Sequence, residues 1–179
     1  MPNEDQGRRA LSRLADVTDQ ILNGKSISQY GALCVRESPK TDEPLVLLIT
    51  SRDTRRWVIP NGWGMRNRDP HEVAEQEAWE EAGVIGDAEK EPCGFYTYVK
   101  SLGKGARVPA LVQVHLLKVE RLGRKFPEKS QRSLRWFKPH EAAAAVAEPE
   151  LKSLLSRVPH FLEGKVKDIE QLSQRRHPE

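Results

Sequence analysis

Cysteine is scarce: the chain has two in 179 residues, Cys34 and Cys93. Each falls inside a strand-like apolar run, and neither has His or Cys at zinc-ligand spacing. They read as buried small hydrophobes in a reducing cytosol rather than as a disulfide framework. Long apolar runs are also missing. None approaches the roughly 20 residues of a membrane span, and the opening MPNEDQGRRALSR has no apolar core of the secretory kind. A cytoplasmic protein without a membrane partner is expected. A large excess of one charge sign is missing too: a net +3 does not by itself argue for nucleic acid. No platform of alternating aromatic and basic side chains would stack RNA bases, so nucleic acid is not the expected partner. Internal repeats and a second-domain boundary are absent.

What is present is a soluble globular composition, 37% hydrophobic and 31% charged, in a length that suits one domain. The most informative stretch is Pro60 to Val84, PNGWGMRNRDPHEVAEQEAWEEAGV. Its second half predicts a helix with defined ends. Asp69 is a good N-cap, Pro70 fits the first helical position, and Glu72 completes a capping box. Gly83 stands where a left-handed residue closes a helix. Between them Ala74, Ala78 and Ala82 form a small apolar stripe that can lie close to a sheet.

Beside that stripe Glu77, Glu80 and Glu81 share an arc of about 100°. Like charges at these spacings repel by roughly 0.2–0.5 kcal/mol per pair, and no Lys or Arg in the helix relieves them. An acidic helix face left to solvent is the ordinary outcome. The flanking Gly62-Trp63-Gly64 loop and the terminal Gly83 favour a functional one. Oxygen ligands on one face suit a hard cation such as Mg²⁺ or Mn²⁺, which takes the rest of its shell from water and substrate phosphate. Basic residues surround this acidic centre in sequence: Arg52, Arg55 and Arg56 before it, Arg66 and Arg68 within its loop, Lys100, Lys104 and Arg107 after it. That pattern suits a polyanionic phosphate substrate.

In chain order, residues 7–24 predict an amphipathic helix that packs on the domain or on a second copy, as in a homodimer. Strands are expected over Ser28–Arg36, Pro44–Arg52, Trp57–Ile59, Gly94–Val99, Val108–Val119 and Leu134–Phe137. Trp57 reads as core, and His115 as a hydrogen-bonded sheet residue. Helices start at Pro139 and Pro149, the second with Leu151, Leu154, Leu155 and Val158 as its apolar stripe. Beyond Gly164 the chain is charged and poor in anchors. Strands, one long helix, more strands and two helices suit an α/β/α sandwich around a mixed β-sheet. The expected organisation is an extension helix over 1–25, a domain over 26–163 and a charged tail over 164–179.

The Pro60–Val84 segment resembles the Nudix box. Gly62 matches its first glycine, and Glu77-Ala78-Trp79-Glu80-Glu81-Ala82-Gly83-Val84 matches its end. Arg68 stands where the family has its first Glu, and Gln76 where it has Arg. The loss of both charges removes one supporting ion pair. The resemblance implies the Nudix fold over about residues 28–160. It also implies Mg²⁺-dependent hydrolysis of a phosphoanhydride, by attack of water on phosphorus in a nucleoside diphosphate derivative or related polyphosphate, with Mn²⁺ as a substitute metal. Glu77 and Glu81 then hold metal with Glu80, and Glu80 is the candidate base, with Glu77 beside it in the catalytic group. Gly62 lets the backbone turn and approach phosphate or metal.

Within the family the likeness runs to the diphosphoinositol polyphosphate phosphohydrolases, which also act on dinucleoside polyphosphates such as diadenosine hexaphosphate. It rests on ALCVR, VLLITSR, RWVIP, EEAGV followed by Gly86, and RWFK at Arg135–Lys138. Ser51 and Arg52 match phosphate-contacting positions there; Lys104 and Arg107 match a phosphate clamp more loosely. Those enzymes carry basic residues where this chain has Gln29 and Tyr30. Two other readings stand beside hydrolysis of a small molecule: a ligand-binding sensor, motivated by Arg68 and Gln76, and an RNA 5′-pyrophosphohydrolase, motivated by the scattered Arg and Lys.

Overall fold

A single long strand organises the sheet. In the computed structural model, which describes residues 26–101 and 107–163, β1 (Ile27–Glu37) pairs along its length with β7 (Arg107–Leu122) in parallel. Its other edge is shared by β2 (Pro44–Thr50) and β4 (Asn61–Trp63), both antiparallel. Beyond β2 lie β3 (Trp57–Val58) and β8 (Leu134–Phe137); beyond β7 lie β5 (Val84–Ala88) and β6 (Gly94–Ser101). The eight strands form one mixed sheet. The helix expected over 7–24, the charged tail and Lys104 fall outside the described residues.

Alternation along β1 shows why both faces are covered. Ala32 and Cys34 join a cluster with Leu47, Ile49, Leu117 and the alanines of α1 (Pro70–Ala82). The intervening Leu33 and Val35 point the other way, to Leu151, Leu154 and Leu155 of α3 (Pro149–Ser156) and Ala142 of α2 (Pro139–Ala145). A period of two in the strand thus feeds two cores, as the α/β/α expectation requires. Small residues face small residues on the α1 side, so the helix axis comes close to the sheet. Enlarging Ala78, which has no exposed surface, would overpack this layer at a cost of about 1–3 kcal/mol.

The ends of α1 follow the sequence. The Asp69 backbone N–H donates to Glu72 Oε2 at 2.8 Å. Gly83 has φ 67° and its N–H donates to the Trp79 carbonyl at 2.9 Å. Two strands depart from expectation. What reads as a glycine-rich loop, 61–63, is β4, drawn into the sheet by β1. The segment after Gly83 is β5, whose pairing with β7 shifts register between Ile85 and Gly86. Trp57 packs edge-on against Phe137, ring centroids 5.2 Å apart.

His115 is buried, with Nδ1 2.6 Å from the Glu89 carbonyl and Nε2 3.0 Å from the Gln113 amide. A carbonyl only accepts, so Nδ1 carries the proton and Nε2 accepts from Gln113. Burial pushes the imidazole pKa down and keeps it neutral. It is the structural sheet histidine that the sequence suggests.

Candidate active site

The last two turns of α1 deliver their carboxylates to a cavity of about 760 Å³ at the β4 edge of the sheet. Glu77, Glu80 and Glu81 all line it. Ser51, Arg52, Gly62 and Arg107 line it as well. Every site residue expected from sequence, Lys104 excepted, therefore reaches one space. Arg68 is exposed and not among the lining residues.

Gly62 has a packing use beside the one expected of it. It lies in β4 opposite Tyr30 of β1, and Gly83 is the one glycine with positive φ among the described residues. What matters is its missing side chain, because the Glu77 carboxylate fills that volume. Glu81 is held from two sides. Its Oε2 accepts the Asn61 N–H at 3.0 Å, and its Oε1 pairs with the Arg132 guanidinium. Glu80 accepts from the Gln76 amide at 2.7 Å. The box position that lacks Arg thus supplies a neutral donor, and the guanidinium comes from outside the helix.

Arg132 sits in the connection between β7 and β8, 123–133. Its side chain is 7% exposed. Besides Glu81 it donates to Glu128 Oε2 at 2.7 Å and to the Thr50 carbonyl at 3.1 Å. Glu128 also pairs with Arg52 at 3.3 Å, and its backbone N–H donates to the Glu80 carbonyl at 3.0 Å. The turn after β2 clasps the same connection, since Arg55 donates to the Gln131 carbonyl at 3.0 Å. Ser51 Oγ lies 2.5 Å from Thr54 Oγ1 within that turn. Glu128, Arg132, Asn61, Tyr98 and Glu148 are among the cavity residues that sequence reasoning missed. An opposite-charge pair four residues apart, Glu128 and Arg132, was the only local signal.

Burial, reinforced by the charges of Glu77 and Glu128, pushes Glu81 up to about 8 against the pull of Arg132 and the Asn61 N–H. Burial pushes Lys100 down, while Glu81 and Glu77 pull it back up. Tyr98 is pushed up to about 12 by burial and by the Glu81 and Glu148 charges. One buried guanidinium therefore leaves an excess of carboxylate on the helix side. Among the described residues no ready-made group of three acidic or imidazole ligands is gathered. The donor set nonetheless fits a hard divalent ion: oxygens only, on one helix face, with Glu128 across from them and room for waters.

A mixed sheet between helices, with the carboxylates of one helix facing a basic rim, defines a pyrophosphohydrolase of the Nudix class. The NUDIX domain family matches residues 28–158, and the chain belongs to the Nudix family. Solved structures share the fold. The Ap4A hydrolase of C. elegans in a binary complex superposes with TM-score 0.57 at 20% identity, over 77% of this chain and 98% of that one. The NUDIX domain of Shewanella oneidensis NrtR, complexed with ADP ribose, gives TM-score 0.57 at 10% identity, over 76% and 88%. The E. coli dihydroneopterin triphosphate pyrophosphohydrolase gives TM-score 0.53 at 13% identity, over 75% and 97%.

Proposed function

We propose that the chain hydrolyses a phosphoanhydride bond of a polyphosphorylated small molecule with Mg²⁺, or Mn²⁺ in its place, by attack of water on phosphorus. Diadenosine polyphosphates, diphosphoinositol polyphosphates and other nucleoside-diphosphate derivatives are the candidate substrates. The observation that carries this reading is the convergence of Glu77, Glu80 and Glu81 with Arg52, Lys100 and Arg107 on one cavity.

Glu77 and Glu81 would hold the metal, with Glu80 beside them. Bound metal supplies charge neutralisation on the phosphate and the leaving oxygen. The Gln76 amide orients Glu80, which accepts the proton of the attacking water. The Asn61 N–H and Arg132 fix the Glu81 carboxylate, and β4 fixes Glu77 through the gap at Gly62. Arg52, Arg107 and Lys100 bind phosphate oxygens, with the Ser51 hydroxyl as a further donor. Lys104 is kept as a phosphate ligand on resemblance alone.

The test is release of phosphate and nucleotide by purified protein with Mg²⁺ and then Mn²⁺. The panel holds diadenosine polyphosphates, diphosphoinositol polyphosphates, ADP-ribose, nucleoside triphosphates and 5′-triphosphate RNA, with Glu80→Gln as control. Turnover of one class, lost in the control, is the expected result. Silence across the panel, with a ligand still raising the melting temperature, would replace the enzyme with a sensor.

A further inference from the structure

The strand registers leave one end of a sheet face uncovered. Across β6 and β7, Phe95 lies opposite Gln113, Thr97 opposite Leu111 and Val99 opposite Pro109. Across β7 and β1, Leu111 lies opposite Ser28, Gln113 opposite Tyr30 and Leu117 opposite Cys34. Neither pairing shifts register, so all of these residues share the face on which Ala32, Cys34 and Leu117 meet α1. The helix packs over the Ala32–Cys34 end of that face. The Ser28–Tyr30 end is open: Phe95 is 49% exposed, and Val99, which also borders the cavity, is 54% exposed. Ser28, Thr97 and Pro109 are exposed beside them, with Leu111 and Tyr30 half-buried. Two of the three large hydrophobic side chains exposed among the described residues thus stand on this one patch.

The opposite face of the sheet is closed by two helices, α2 and α3. A sandwich of this kind covers both faces of its sheet, and α1 alone leaves the β6 end of one face bare. Residues 7–24 lie outside the described residues, but their sequence carries the pattern of the missing layer. At helical spacing Leu11, Leu14, Ala15, Ile21 and Leu22 fall within an arc of about 120°, and Arg8, Arg9, Arg13, Asp16 and Asp19 fall outside it. Only Lys25 and Ser26 separate Gly24 from β1, so such a helix must end within about 11 Å of Ile27. Ser28, one residue further on, already belongs to the open patch. A helix over 7–24 runs about 27 Å, and the eight residues of β6 run about 26 Å. A second copy of the chain seated on the patch would leave the stripe of 7–24 without a surface to bury it, whereas the tether brings the two together.

We propose that residues 7–24 dock as a second helix on this face, beside α1, with the Leu11, Leu14, Ile21 and Leu22 side against Phe95, Val99, Pro109 and Leu111. The extension then braces β6, which pairs with β7 alone and whose other face turns Tyr98 and Lys100 to the cavity. This is a statement about packing and holds whichever substrate the cavity takes.

Two experiments on the whole chain test it. In the first, Phe95 is replaced by the photo-crosslinking analogue p-benzoylphenylalanine, and the irradiated protein is digested for mass spectrometry. Cross-links to residues 7–24 of the same chain are the expected result. Cross-links that double the molecular mass would put a second copy on the face, and cross-links confined to other segments, or none, would put the helix elsewhere; each of these overturns the proposal. In the second, backbone hydrogen exchange is compared between the wild type and the double variant Leu11→Ser, Leu14→Ser. The amides of β6 should exchange about tenfold faster in the variant, with those of α2 and α3 unchanged. Equal exchange in β6, or a uniform rise across the domain, overturns the docking.

Discussion

The carboxylate of Glu77 occupies the volume that a side chain at Gly62 would need: a Cβ added there would lie 2.1 Å from Glu77 Oε1. Gly62 is paired in the sheet opposite Tyr30, so the Glu77 carboxylate, the far end of a flexible side chain on α1, is the group that must give way. Gly62→Ala should displace the carboxylate by more than a bond length. We expect kcat/KM to fall about 100-fold, the usual cost of misplacing a catalytic group by an ångström. Stability should fall by only about 1–3 kcal/mol. A fully active Gly62→Ala enzyme would detach Glu77 from the chemistry.

Arg132 and Glu81 form a buried ion pair, and such pairs react strongly to loss of one member. At about pH 9, where Glu81 is ionised in the fold, Arg132→Met should destabilise the protein by about 3–5 kcal/mol, since Glu81 must then stay charged in the interior without its partner or take up a proton. Adding Glu81→Gln removes the stranded charge, so the double variant should be more stable than the sum of the single effects by about 0.5–3 kcal/mol. Urea denaturation of the four proteins checks this. Strict additivity would mean that the two groups do not act on each other.

The raised pKa of Glu81 gives a sign for pH dependence. Its carboxyl titrates near 4.5 when unfolded and at about 8 in the fold, so the folded state binds the extra proton in between. Stability from this group is full below the lower value and is lost as pH rises through the upper one. In EDTA the melting temperature should therefore decline between about pH 6 and about pH 8.5, and this decline should be absent from Glu81→Gln. Mg²⁺ should raise the melting temperature more at the higher pH, because the ion takes the deprotonated form. Parallel curves for wild type and variant would contradict the assignment.

The thiols should be inert. Burial pushes Cys93 up to about 11 and Cys34 above the usual thiol range, so little thiolate forms near neutrality. Neither is in a disulfide. Native protein should resist iodoacetamide at about pH 8, and both thiols should react in urea. Fast labelling of Cys34 in native protein would show that the β1 core opens.

The helix and its acidic face were legible because their causes are local. Asp69, Pro70, Glu72 and Gly83 act within one turn of themselves, and the placement of Glu77, Glu80 and Glu81 follows from helical geometry alone. The short strands β4 and β5 were not legible, because a Gly-containing run becomes a strand only when an established neighbour offers it a ladder. Arg132 and Glu128 were beyond reach of local reasoning. About 50 residues separate Arg132 from Glu81, and only the path of β7 and β8 brings them together.

The parallel pairing of β1 with β7 also bears on how the protein comes to be. Ile27 meets Ala110 and Val35 meets Lys118, about eighty residues apart, so the central ladder is a long-range contact of the kind that slows folding. During synthesis α1, with its uncompensated glutamates, leaves the ribosome well before β7 does, and Arg132 follows later still. The nascent chain therefore exposes the edge of β1 to other chains until β7 arrives to cover it.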